Sequence, residues 1–406
     1  MSTGVSEGDG SQGGPQADRA PVLNIKIFVL ALSTFAFGSG AFIFAGLLEP
    51  MAAELGVSVG AAGQLQTVYV LTSALLGPPL AFLVGRFERK RVLLIALGAA
   101  VVVNLACLMT PGYGALLFLR ALLGAIGALA GPAASAAASA LVPPERRGSA
   151  LAIVMGGMTV AFLMGIPLGS VVGAAFGWRA TFLLSAGLSG FALAAILIFV
   201  PRVSPPAPGV GQGLRGAGVM PLFIATFLAF GANMTITTYI APILRLQVEV
   251  TGAGVAAFQM LVGVGSLLGL TLGGRAADRG AGSLSVTLGF VGLAAAAALH
   301  GLELARGGAP GLLAFGTVGL AVLVGSTALF SILPVIQTRL IVKAPASAPL
   351  ALAFNGSSTS LGQAFGGGLG GALLSQTGAL SVTFAAGILA LGAAAFWHVT
   401  QPGAPN

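Results

Sequence analysis

The sequence predicts an all-α membrane protein of twelve transmembrane helices, arranged as two pseudo-symmetric six-helix bundles. Three observations lead there. Of 406 residues, 56% are hydrophobic and only 7% are charged, whereas a soluble domain carries about 25% charged residues. The apolar residues gather in runs of the length that crosses hydrocarbon, about 20 residues. The eighteen Lys and Arg residues fall mostly in alternate turns between those runs.

Residues 1–25 are rich in Gly, Ser, Gln and Asp and lack the basic start and apolar core of a signal peptide. They read as a disordered cytoplasmic tail. Twelve apolar runs follow, at 27–48, 61–84, 92–110, 114–142, 149–176, 179–200, 219–245, 252–274, 284–304, 311–341, 349–376 and 379–399. Charged or Pro/Gly-rich turns separate them, such as GRFERKR after the second run and PPERRG after the fourth; only FGWRA parts the fifth from the sixth. The longest polar break, PRVSPPAPGVGQGLRGAG at 201–218, divides a bundle at 26–200 from a bundle at 219–400.

Charge sets the orientation. With the amino terminus inside, inner segments hold fourteen basic residues, the outer turns hold Arg179, Arg245 and Arg306, and Arg120 lies within a span. That bias places both termini of a multi-pass membrane protein in the cytoplasm. The net charge of +8 meets lipid head groups in short turns, so no nucleic-acid partner is expected.

The halves share a pattern of small residues. Gly157, Ala161, Gly165, Gly169, Gly173 and Gly177 recur every fourth position in the fifth span, and Ser358, Gly362, Gly366 and Gly370 do so in the eleventh. Such spacing lets helix backbones approach closely in lipid. Pro167 lies between two members of the first of these stripes, Gly165 and Gly169. Parallel halves of this kind suit transporters that rock two bundles about a central site.

Chemistry-bearing residues are few. A single cysteine, Cys107, excludes an intrachain disulfide. Two histidines, His300 and His398, give no histidine-based metal site or relay. No cofactor or metal is expected, and no enzyme. All ten acidic residues lie in the tail or at or near span ends, so the buried carboxylate that commonly couples transport to protons is missing from mid-span. Glu49 and Glu303, at the outer ends of the first and ninth spans, are its nearest substitutes or else ordinary interface residues. Arg120, about 9 Å into the fourth span, must pair, face water or snorkel outward. The mid-span polar and aromatic residues Phe37, Phe42, Tyr69, Thr159, Asn233, Thr237, Ser326, Phe330 and Gln363 suit a cavity for a neutral or amphiphilic ligand. The turns holding Gly85, Arg86, Glu88 and Arg89, and Gly274, Asp278 and Arg279, read as positive-inside anchors or as a latch between helices.

The chain resembles the major facilitator superfamily from about residue 25 to 400. Gly274, Asp278, Arg279 and Gly280 resemble the family's loop signature; the amino-terminal copy departs, with Gly85 in place of the aspartate and Glu88 in place of a glycine. The segment RALLGAIGALAGPAASAAASALVPPERRG, from Arg120, resembles the fourth-span signature, whose arginine is implicated in proton coupling. MGIPLGS, Met164 to Ser170, and the glycine stripe resemble the fifth-span antiporter signature, and GWRATF, Gly177 to Phe182, the usual start of the sixth span. These features are similar to the drug-efflux branch, near arabinose-efflux-like and chloramphenicol-exporter-like permeases. Ala41 stands where relatives of that branch often carry a glutamate before Phe42. The resemblance implies a monomeric carrier in the bacterial inner membrane that exports small neutral or amphiphilic molecules against protons by alternating access, with Arg120 as a coupling residue; Glu49 joins it as the nearest carboxylate that the residues themselves offer. The alternative is a facilitative or symport uptake carrier for a sugar-like or other small metabolite.

Overall fold

The computed structural model describes residues 25–84, 87–143, 146–203, 218–307 and 310–401. The tail, Gly85, Arg86 and most of the 201–218 linker lie outside the described residues.

Twelve spans cross in alternation. In the first half these are α1 (Ile25–Phe42) with its extension α2 (Leu48–Leu55), α3 (Val59–Val84), α4 (Arg89–Leu108), α5 (Tyr113–Ala140), α6 (Arg147–Val160) with α7 (Ile166–Phe176), and α8 (Arg179–Phe199). The second half has α9 (Met220–Thr237) with α10 (Ile240–Val248), α11 (Ala253–Asp278), α12 (Gly282–Ala305), α13 (Leu312–Lys343), α14 (Ala348–Gln376) and α15 (Ala379–Thr400). Eleven of the spans are long and apolar enough to cross a membrane on composition alone. The other, α14, is 29 residues long but rich in glycine, serine and amide side chains.

Three spans expected to be continuous are broken. The first stops at Phe42, passes through tight turns in which Ala45 N–H donates to the Phe42 carbonyl and Leu47 N–H to that of Phe44, and restarts at Leu48. Pro50 has no N–H to offer the Gly46 carbonyl, so it is tolerated only in the first turn of the new helix. Pro242 takes the same place at the start of α10, after the seventh span breaks at Thr238 and Tyr239. In the fifth span a π-turn, Ala161–Gly165, joins α6 to α7. Pro167 cannot donate to the Leu163 carbonyl, and the preceding turn widens so that Ile166 N–H reaches Ala161.

Packing repeats between halves. The pairs α1 with α6, α3 with α5, α4 with α8, α4 with α5 and α1 with α8 have their counterparts in α9 with α14, α11 with α13, α12 with α15, α12 with α13 and α9 with α15. The halves meet through α3 against α14, and through α7 and the π-turn against α11, which the same pseudo-twofold interchanges. Equivalent turns lead into α8 and α15 through Gly177 and Gly378, at φ 84° and 90°, a region L-residues with side chains avoid. Outside, Val102, Phe118, Ile198, Phe384 and Ile388 are more than 60% exposed, which is costly in water and natural in lipid.

Candidate functional site

The halves close on each other at the end of the molecule away from Ile25 and Thr400, here the distal end. Glu54 anchors α2 to its own half: its carboxylate accepts from Trp178 Nε1 at 2.6 Å and pairs with Arg179. From the same short helix Glu49 reaches across to Arg245 on α10, at 2.9 Å. Burial pushes the Glu49 carboxyl above its ordinary value, and Arg245 offsets part of that rise. Ser170 on α7 donates to Gln259 Oε1 on α11 at 2.6 Å. The buried Tyr239 hydroxyl donates to the Gly367 carbonyl at 2.9 Å, with the Gly60 carbonyl of the other half at 3.3 Å. Side chains at Gly63 or Gly371 would overlap that hydroxyl, so one glycine from each half forms the slot that takes it. Beside the π-turn, Gly263 lies against the Leu163 backbone.

Inside this closure lies a cavity of about 50 Å³, room for a few waters. It is lined mainly by the second half, with Asn233, Thr237, His300, Ser326 and Phe330, and by Phe162 of the π-turn. Phe162 stands 5.4 Å from Phe42 and 5.6 Å from Phe330, ring centre to ring centre, so three rings run from α1 to α13. Thr237 donates to Asn233 Oδ1 at 3.0 Å, leaving the Asn233 amide hydrogens as donors. The Ser326 hydroxyl is spent on the Val322 carbonyl of its own helix. Among the described residues no carboxylate lines the cavity. Phe37 and Tyr69 instead line a smaller hollow in the first half, with Asn104 and Ser189. Thr159, buried on α6, and Gln363, half-buried on α14, line neither space.

Arg120 is fully buried. Its Nη1 and Nη2 donate to the Gly40 and Ala41 carbonyls at 3.0 and 2.8 Å, and Nε to the Leu65 carbonyl at 3.3 Å. The first two belong to the last turn of α1, where carbonyls have no helical N–H to accept from. The guanidinium thus caps a helix carboxyl end, the end that favours a cation. It is held between the faces of Phe44 and Tyr69, at 4.7 and 4.5 Å. Gly124 lets α5 come close enough, since a side chain there would meet the Tyr69 carbonyl. Among the described residues no carboxylate pairs with Arg120.

At the opposite end, Glu88 is the N-cap of α4, accepting from Lys90 N–H and Arg91 N–H. It also accepts from Val203 N–H at 2.8 Å, and Arg89 N–H donates to the Val203 carbonyl. Glu88 and Arg89 therefore tie together helices of one half. Asp278 and Arg279 are exposed and form no ion pair with described residues. A side chain at Gly274 would meet nothing within 4 Å. The glycine stripes sit in helix contacts: Gly165, Gly169 and Gly173 against Ser39, Ile43 and Leu47, and Gly362, Gly366 and Gly370 against the backbone of α9 at Phe227, Gly231 and Thr235. Pro167 is buried in the same seam.

Phe162, Tyr239, Gln247 and His300 were not marked by sequence pattern. Phe162 and Tyr239 sit at helix breaks, for which Pro167 and Pro242 were the available signals.

The family model of the Major Facilitator Superfamily matches residues 30–348. The inner membrane transport protein YdhP of Escherichia coli (strain K12) is 31% identical over 359 residues, covering 87% of this chain and 90% of that protein. The chloramphenicol resistance protein of Streptomyces lividans is 32% identical over 267 residues, 63% of this chain and 67% of that protein. Among solved structures, a bacterial homologue of the human lysosomal transporter Spinster superposes with a TM-score of 0.73 at 15% identity, covering 93% and 96% of the two chains.

Proposed function

Because the chain belongs to the Major Facilitator Superfamily, and so is a multi-span membrane transporter, we propose that it exports small neutral or amphiphilic compounds in exchange for protons. The observation that carries this reading is the cavity lining: aromatic and aliphatic walls, a few neutral hydrogen-bonding groups and, among the described residues, no carboxylate. Such a site gains affinity by apolar burial and orientation by one or two hydrogen bonds. Chloramphenicol, named for the Streptomyces lividans relative, has this chemistry and is the first compound to test.

The end carrying the termini is assigned to the cytoplasm, following the bias of basic residues. The distal closure is then the periplasmic gate, shut in this conformation. Glu49 couples that gate to protons. Its carboxyl holds a proton more tightly in the closed gate than in an open one that returns it to water, so a proton bound from outside favours closure. An exporter needs this sign for its return step. Arg120 serves by fixing the end of α1, from which the elbow and α2 carry Glu49.

The test is chloramphenicol transport by purified protein in liposomes, with and without an imposed pH gradient. Accumulation that needs the gradient and runs against the proton flux is expected. Gradient-independent equilibration would replace the exporter with a facilitator.

A further inference from the structure

His300 on α12 is 3% exposed, yet it lines the cavity and only one of its ring nitrogens is bonded. Gln247 on α10 clamps it: Gln247 Nε2 donates to the His300 carbonyl at 2.7 Å, and Gln247 Oε1 stands 3.1 Å from Nδ1. The amide cannot present its nitrogen to both groups, so its oxygen faces the ring and Nδ1 must carry the proton. Nδ1 is therefore a donor whether the ring is neutral or charged. Nε2 takes no hydrogen bond from described residues, and its lone pair is left for the cavity.

We propose that His300 Nε2 is the shared acceptor of the cavity, bonded in turn by a hydroxyl or amide N–H of the transported compound and by a proton. Competition of the two for one lone pair forces exchange at the site itself. The assignment rests on the exporter reading and adds to it a proton site distinct from Glu49.

The charged surroundings supply the ring with no fixed partner among the described residues. On α12, Glu303 lies one turn on, buried and paired with Arg306 at 3.0 Å. On α10, Arg245 is committed to Glu49 and Glu249 is exposed. Tyr239, where α9 meets α10, is bonded to Gly367 and Gly60, and α9 itself has no ionisable side chain. The ionisable residues of α11, α13 and α15, namely Arg275, Asp278, Arg339, Lys343 and His398, are at the opposite end. At the distal end these elements therefore carry Arg245, Glu249, Glu303 and Arg306, of which Arg245 is paired with Glu49 and Arg306 with Glu303.

Two histidines in the chain make the test direct. In full-length His398→Gln protein with nitrogen-15 labelled histidine, the spectrum at about pH 8 is expected to show a protonated Nδ1 and a bare Nε2, with Gln247→Leu mixing the tautomers. A protonated Nε2 there would overturn the assignment. In liposomes, His300→Asn keeps a donor at the Nδ1 position and His300→Gln keeps a polar group at the Nε2 position, but neither titrates. Both are expected to slow chloramphenicol exchange between equal-pH compartments, since each lacks the shared acceptor, and to lower the ratio of gradient-driven accumulation to that exchange about tenfold or more. An undiminished ratio in either variant would overturn the proposal. A wild-type protein indifferent to the gradient would instead sink the exporter reading and with it the competition, while the spectrum still decides the tautomer.

Discussion

Replacing Arg120 with methionine deletes the guanidinium while keeping most of the buried volume. Two carbonyls at the end of α1, those of Gly40 and Ala41, lose the donors that satisfy them at 3.0 and 2.8 Å. Hydrogen bonds from a charged donor contribute about 1.5–3 kcal/mol each, whereas the Leu65 carbonyl lies within α3 and keeps its helical N–H. Methionine also escapes the cost of burying a cation, which offsets part of the loss. The balance is a destabilisation of about 2–4 kcal/mol, read from detergent-induced unfolding of purified protein. Arg120→Lys should fall between, since an ammonium keeps the charge but lacks the fork that spans two carbonyls. The folded fraction of Arg120→Met is expected to retain gradient dependence in liposomes. Wild-type stability together with lost proton dependence would refute the cap and make Arg120 a coupling residue.

Other perturbations address the distal gate and the cavity. Spin labels at Ala53→Cys and Leu246→Cys, in a Cys107→Ser background, report the separation of α2 and α10. In otherwise wild-type protein the closed population should grow as pH falls through the raised Glu49 value, which lies above 4.5, and decline above it. Glu49→Gln should flatten that dependence; an unchanged pH profile would remove Glu49 from coupling. Gly63→Leu fills the slot of the Tyr239 hydroxyl, so the same labels should show the open population dominating, and a closed gate would contradict the slot. Phe162→Ala removes the middle ring of three, and the chloramphenicol concentration for half-maximal transport should rise about threefold to tenfold.

Spans were legible in the sequence because membrane thickness leaves few ways to place runs of about 20 apolar residues. The breaks within spans were not, because hydropathy continues through Ile43, Phe44 and Leu47 even where the helix stops. Phe42, Asn233, Thr237, Ser326 and Phe330 could be picked as mid-span polar or aromatic residues, and five helices and the π-turn then brought several of them to one cavity. His300 could not be chosen that way, since its role depends on Gln247 reaching it from a different helix. Glu88, read from the charges beside it as part of an anchor or a latch, stands immediately before α4, where its carboxylate caps that helix.

Alternating access limits how strong the distal closure can be. A carrier must visit both conformations, so their free energies must lie within a few kcal/mol. The contacts between halves have that scale: a partly exposed ion pair contributes about 0–1 kcal/mol, and the bonds of Ser170 and Tyr239 about 0.5–1.5 kcal/mol each. Within each half the opposite holds, with glycine stripes seating helix on backbone and Arg120 capping α1 in a fully buried site. Rigid halves joined by a weak gate can move as bodies. A proton held more tightly on one side of the cycle is then enough to choose between the two positions.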